Sequence, residues 1–189
     1  MPEFRCTRKP GSCVRCGSCC RFEGKLNLSD TELCRIRYAF FQKTRLIYLS
    51  SIEDMGLPVQ TYEYEQLRKH AESLGLKINL IPGKCVYDLH TGKTIVFDWL
   101  LECRVCPFLS GTNSCIIYDD RFDICRLFPD TQKNIPDVDI RFEKLQELIS
   151  KGKIQLPEDM PYEEQIELAR SAPRINFEEF LDSLSISKG

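Results

Sequence analysis

Residues 13–20 read Cys13-Val14-Arg15-Cys16-Gly17-Ser18-Cys19-Cys20, four cysteines in eight positions. Two-residue gaps between Cys13, Cys16 and Cys19 let several sulfurs face one ion while the intervening amides point at them. Gly11 and Gly17 keep the segment out of regular helix and let its backbone fold back on itself. The adjacent pair Cys19 and Cys20 is a poor basis for two separate disulfides in so tight a segment. The expected fold is therefore organised around a bound metal, not around cross-links.

A second block follows downstream, from Leu101 to Pro129, dense in Pro, Gly, Ser and Asp and poor in periodicity. It contributes Cys103, Cys106 (followed by Pro107), Cys115 and Cys125. The candidate metal ligands are thus Cys13, Cys16, Cys19, Cys20, Cys103, Cys106, Cys115 and Cys125, enough for one centre or two. Four thiolates around Zn²⁺, or around a dicationic four-iron cluster, leave a site charge of about −2. Arg15, Arg21, Arg104, Arg121 and Arg126 lie near the cysteines in sequence. They are placed to offset that charge and to donate hydrogen bonds to sulfur. Structural zinc is usually closed by two CxxC-like knuckles. Clusters often use CxxCxxC plus a remote cysteine that precedes proline, which Cys13, Cys16, Cys19 and Cys106-Pro107 also match. Spacing leaves zinc and iron–sulfur open, with Cys106-Pro107 tilting the reading toward iron–sulfur.

Between and beyond the blocks the hydrophobic period changes. Ser29 or Asp30 reads as the N-cap of a helix from about Thr31, with Leu33, Ile36, Phe40 and Ile47 at helical spacing. A second helix is expected from Tyr62 to Leu74, ending at Gly75. Leu76, Ile78 and Leu80 alternate with polar positions, as in a strand. Residues 85–89 and 94–97, joined through His90-Thr91-Gly92-Lys93, read as a β-hairpin. From Pro136 onward the cysteines stop. Three amphipathic helices are expected there, around Ile140 to Ile149, Tyr162 to Ala172 and Phe177 to Leu184, separated by Pro157, Pro161 and Pro173.

The expected architecture is a small α+β protein: a cysteine-rich metal-centred core with a β-hairpin, flanking helices and a helical C-terminal extension. A cysteine-cluster domain is expected over residues 1–130, with the extension over residues 131–189 packed on it. A chain of 189 residues holds one full core, and a second independent domain would be cramped. The 11 cysteines are odd in number and fall short of the ~8–10% of a disulfide scaffold. The first ten residues are polar and broken by proline, and no apolar run reaches the ~20 residues that span a bilayer. The expected location is the cytoplasm, whose reducing conditions keep thiols available for metal. A net charge of −2 with no basic run makes nucleic acid an unexpected partner. The sequence names no small-molecule substrate. It contains no glycine-rich phosphate loop, nucleophile elbow, HExxH or dinucleotide fingerprint.

Residues outside the two blocks have plainer readings. Cys34 and Cys85 are expected in the core and Cys6 as a free thiol. His70 and His90 are expected at the surface. Tyr118 and Arg121 either support a metal or simply pack. Asp119, Asp120 and Asp123 are expected to cap turns or pair with arginines. Phe97, Trp99 and Leu100 are expected in the core under the hairpin.

The combined pattern CxxCGxCCR, then CPxL, CxIY, R and CRxFP, resembles the YkgJ-like cysteine-cluster family, described as zinc- or iron-chelating. The matching residues are Cys13, Cys16, Gly17, Cys19, Cys20 and Arg21, then Cys106, Pro107, Leu109, Cys115, Ile117, Tyr118, Arg121, Cys125, Arg126, Phe128 and Pro129. Phe122 stands where the family usually has proline, and Cys103 lies outside the shared motif. The resemblance implies metal binding, and with the cysteine spacing the expected centre is an iron–sulfur cluster or one to two zinc ions, with redox work as one use. Some flagellin lysine methylases are similar in carrying such a cluster, so an enzyme that modifies protein or transfers methyl groups stays open. A zinc-stabilised adaptor, docking a protein partner through the C-terminal helices, stays open as well.

Overall fold

Ser29 opens the first helix by a reciprocal cap. Its hydroxyl accepts the Glu32 amide at 3.4 Å, and the Glu32 carboxylate accepts the Ser29 amide at 2.8 Å. Helix α1 (Asp30–Thr44) ends on Arg45, which takes the left-handed conformation at φ 63°. Its inner face is Leu33, Phe41 and Thr44, while Phe40 packs against the core that contains Leu46 and Val86. Cys34, expected in the core, is exposed. Tyr162 packs against Phe41 and Tyr38, with ring centroids 4.9 and 5.7 Å away.

The computed structural model describes Gly17 and residues 20–22, 28–50, 56–127 and 136–186. Within them the chain is α+β. After α1 come β1 (Ile47–Tyr48), β2 (Gly56–Gln60), a single 3-10 turn (Thr61–Glu63) and α2 (Tyr64–Ser73). Strands β3 (Leu80–Pro82), β4 (Lys84–Asp88), β5 (Lys93–Val96) and β6 (Asp98–Glu102) follow. The cysteine loop then leads to α3 (Asp123–Leu127), α4 (Pro136–Ser150), α5 (Tyr162–Ser171), β7 (Arg174–Asn176) and α6 (Phe177–Ile186). The alternating stretch from Leu76 becomes a strand only at Leu80. Leu76 and Ile78 pack on the core without a ladder of their own.

Two sheets share one long hairpin. The first runs β1-β4-β5-β7 and the second β2-β6-β3. The chain passes between them at Gly83 on one arm and Phe97 on the other. There Gly83 N donates to Asp98 O, and Phe97 N donates to Lys84 O. A Cβ on Gly83 would sit 2.4 Å from Asp98 Oδ1, so any side chain here must displace a carboxylate that already accepts the Lys84 amide. The hairpin turn is held by the buried Asp88 carboxylate, which accepts the His90 and Thr91 amides and, from far along the chain, the Gln155 amide.

Period-two alternation gives the first sheet two apolar faces. Val86 and Ile95 point to a core completed by Leu145 and Leu148 of α4 and Phe177 and Phe180 of α6. Cys85 points the other way, among Phe41, Tyr162 and Ala169. The C-terminal extension therefore spends its apolar faces on the sheet. It also adds a strand, since β7 pairs in parallel with β5 at Ile95↔Ile175. Ile140 of α4 remains outside, 62% exposed.

The second sheet carries the other core. Leu57, Val59 and Leu101 pack with Leu67 and Ala71 of α2 and with Cys106, Phe108, Ile117 and Phe122 of the cysteine loop. Trp99 is half-buried on this side, its indole N–H bonded to Asn176 Oδ1 at 2.8 Å. Among the described residues no helix is long and apolar enough to cross a membrane.

Candidate metal centre

The end of the first cysteine block is zipped to the start of the second. Phe22 N donates to Arg104 O at 2.8 Å and Cys106 N to Cys20 O at 2.7 Å, with Arg21 bridged to Val105 in antiparallel fashion. This short ladder sets Cys20 opposite Cys106 although 86 positions separate them in sequence. Just upstream, Gly17 has φ 73°, and its carbonyl accepts Cys20 N. A Cβ there would meet Leu109 Cδ1 at 3.0 Å and Asn113 O at 3.2 Å, which makes any side chain strained as well as crowded.

A tight loop returns the chain from Cys106 to Cys115. Leu109 N bonds Cys106 O, Ser110 N bonds Ser114 O, and Leu109 bridges Cys115. Asn113, at φ 60°, makes the turn, and Arg21 Nη2 donates to its side-chain oxygen at 2.6 Å. Two arginines then brace residues 117–126. Arg126 donates to the carbonyls of Arg121 and Asp119 at 2.7 and 2.9 Å. Arg121 donates to Tyr118 O and lays its guanidinium 3.8 Å from the centre of the Tyr118 ring. Cys125 follows on α3, its amide bonded to Phe122 O.

These turns bring Cys20, Cys106, Cys115 and Cys125 to the wall of one cavity of about 30 Å³. Phe108, Ile117 and Phe122 supply its apolar lining, and Arg121 adds a cation. Cys103 is not in that wall. Its thiol donates to Leu101 O at 3.5 Å, and burial, with a smaller push from Glu102, raises its pKa to about 11. Cys85 is fully buried, as expected, and burial pushes its thiol pKa far up. Cys6, Cys13, Cys16 and Cys19 lie outside the described residues. Among the described residues no three His, Cys, Asp or Glu side chains form a group able to hold an ion. The four cavity cysteines are gathered but not closed on a centre by themselves.

His90 is exposed. His70, expected at the surface, is only 24% exposed at its side chain and faces the cysteine loop, 3.6 Å from Asp120 Oδ2. Asp123 accepts the Tyr62 hydroxyl, and its amide is bonded by Glu63 Oε1. Burial raises the Glu63 pKa, and hydrogen bonds from Asp123 N and Gln60 N pull against that rise. The contacts of Tyr62 and Glu63 with Asp123 carried no signal in the sequence, because about sixty positions separate them. A wider groove of about 790 Å³, bordered by Ile149, Ile154 and Leu156, contains no cysteine or histidine.

The donor chemistry fits a thiophilic metal. Soft sulfur donors in an apolar wall suit zinc or iron, whereas magnesium and calcium take oxygen. Comparison with protein families matches residues 12–148 to the CxxCxxCC model, described as a "putative zinc- or iron-chelating domain". The match runs beyond Cys125 into α4. Comparison with curated proteins and with solved structures gave no significant match.

Proposed function

The chain belongs to the CxxCxxCC family, and from that membership we propose that its two cysteine blocks jointly hold an iron–sulfur centre. One observation carries the reading: Cys20 from the first block and Cys106, Cys115 and Cys125 from the second line one cavity. Cys16 and Cys19 are the covalent neighbours of Gly17 and Cys20, both in that wall, and Cys13 is one two-residue gap further on. The CxxCxxC run and the Cys106-Pro107 pair match cluster-binding spacing. Arg121 at the wall offsets thiolate charge, and Phe108, Ile117 and Phe122 give the sulfurs an apolar surround. When bound, such a centre supplies one-electron redox chemistry. Thiolates held ready for metal also favour a reducing compartment, the cytoplasm. The small cavity volume favours a second reading, a single zinc ion closed by four of the sulfurs.

Protein purified without oxygen and analysed for iron, zinc and acid-labile sulfide separates the readings. Iron and sulfide in equal amounts, with absorption near ~400 nm, are expected. Stoichiometric zinc without sulfide would replace the cluster with the second reading, and protein without either metal would end both. Cys125→Ser is expected to lose most of the metal and to melt about 10 °C lower, because metal binding is also folding free energy. Cys34→Ser, on the exposed face of α1, is expected to keep the metal.

A further inference from the structure

Helix α3 has only five residues, yet it carries Cys125 to the cavity. A helix this short is not stable alone, so its placement depends on what grips it from outside. Arg126 ties the end of α3 back to the carbonyls of Asp119 and Arg121. The start of the helix is gripped by the turn that ends β2. Glu63 Oε1 accepts the Asp123 amide at 2.8 Å, while Oε2 of the same carboxylate accepts the Gln60 amide at 3.0 Å. The neighbouring Tyr62 hydroxyl donates to Asp123 Oδ2. Glu63 is 7% exposed, an expensive position for a carboxylate unless each oxygen has a donor.

The turn is fixed from its other side too. Arg141 of α4 donates to Gln60 Oε1 at 2.9 Å, to Thr61 Oγ1, and to Phe97 O at 3.0 Å. Residues 60–63 thus stand between the C-terminal layer and the segment that ends in Cys125. If Glu63 only closed its own turn, the bond to Gln60 N would suffice. The second oxygen reaches across to the metal loop.

We propose that Glu63 is a positioning residue for the metal centre, holding α3 so that Cys125 faces the cavity, with Tyr62 as its aid. This inference rests on the metal reading above. Glu63→Gln keeps one acceptor oxygen and turns an NH₂ toward one of the two amides, so one bond is lost with little change of shape. Tyr62→Phe removes only a hydroxyl from a side chain that is 40% exposed, and it leaves Glu63 intact. Glu65→Gln, on an exposed carboxylate of the adjoining helix, is the control.

Full-length proteins, metal-loaded as purified without oxygen, are titrated with a coloured chelator that takes up zinc and iron. Each is also melted in loaded and stripped form. Glu63→Gln is expected to release half its metal at about 10-fold lower chelator concentration than wild type. Tyr62→Phe should do so at about 3-fold lower, and Glu65→Gln should not shift. The metal-dependent part of the melting temperature should shrink in the same order. Unchanged release, with loaded and stripped forms falling by the same number of degrees, would reduce Glu63 to a local cap and overturn the proposal. Should Glu63→Gln not fold, Tyr62→Phe decides alone, and release identical to wild type overturns it. Wild-type protein that carries no metal would remove the metal reading itself. Wild type with metal and variants without effect would remove only this inference.

Discussion

Tyr162 shows how much one hydroxyl can matter. Its ring is packed against Phe41, but its oxygen is buried with no hydrogen-bond partner among the described residues. Burial is the main reason its pKa is pushed up to about 12, partly countered by Arg37. In the unfolded chain the phenol ionises near ~10. Between those values the folded state keeps a proton that the unfolded state loses, so this contribution to stability is full below pH ~10 and fades as pH rises toward ~12. Wild-type melting is therefore expected to fall over that range, and Tyr162→Phe to fall less steeply. At neutral pH the same variant is expected to be more stable by about 1 kcal/mol, since it removes an unsatisfied buried group. A loss of stability in urea unfolding would mean that the hydroxyl does have a partner. Cys34 and Cys85 make a related point. Both sit among apolar neighbours in sequence, yet one is exposed and the other fully buried. Only a helix or strand packed over the position separates them.

The hairpin from Cys85 to Val96 and the cap at Ser29 are local patterns, and both were legible in the sequence. The switch between sheets at Gly83 was not, because it depends on Asp98 approaching from the opposite arm. That carboxylate accepts Lys84 N at 2.6 Å and pairs with Lys84 Nζ at 2.5 Å. Burial opposes the Lys84 charge, and the facing Asp98 outweighs it, holding the lysine pKa above its ordinary value. A methyl group on Gly83 would strike Asp98 Oδ1. Gly83→Ala is therefore expected to cost about 2 kcal/mol in urea unfolding. A cost under about 0.5 kcal/mol would show that the carboxylate moves aside freely. The stretch from Leu76 misled for the same reason: alternation predicts a strand wherever a ladder partner exists, and β6 offers one only from Leu80 onward.

Across the whole molecule, Arg141 fastens the C-terminal layer to the half that carries the cysteines. It pairs with Glu178 of α6 at 2.8 Å, binds the 60–63 turn, and lies 4.6 Å from the centre of the Phe97 ring. Arg141→Met keeps the volume and leaves Glu178 and three acceptors without their donor. The expected loss is about 2 kcal/mol, below that of a fully buried pair because the Glu178 side chain is 34% exposed. Thermal melting of the variant checks it, and an unchanged midpoint would mean that water replaces the guanidinium without cost.

What the sequence determined by itself was chemistry and local form: clustered thiols suited to a metal, a capped first helix, a hairpin and an α+β alternation. Those signals act over a few residues, where spacing and backbone preference are enough. Tertiary structure alone decided which thiols meet. Cys20, Cys106, Cys115 and Cys125 reach one cavity, whereas Cys103, only three positions from Cys106, turns to Leu101 O. It also decided that Glu63 reaches the Asp123 amide and that Arg141 binds the turn in which Glu63 sits, contacts on which the sequence is silent. Such choices come from packing and hydrogen bonds between segments some 60 to 90 positions apart, and no local pattern encodes them.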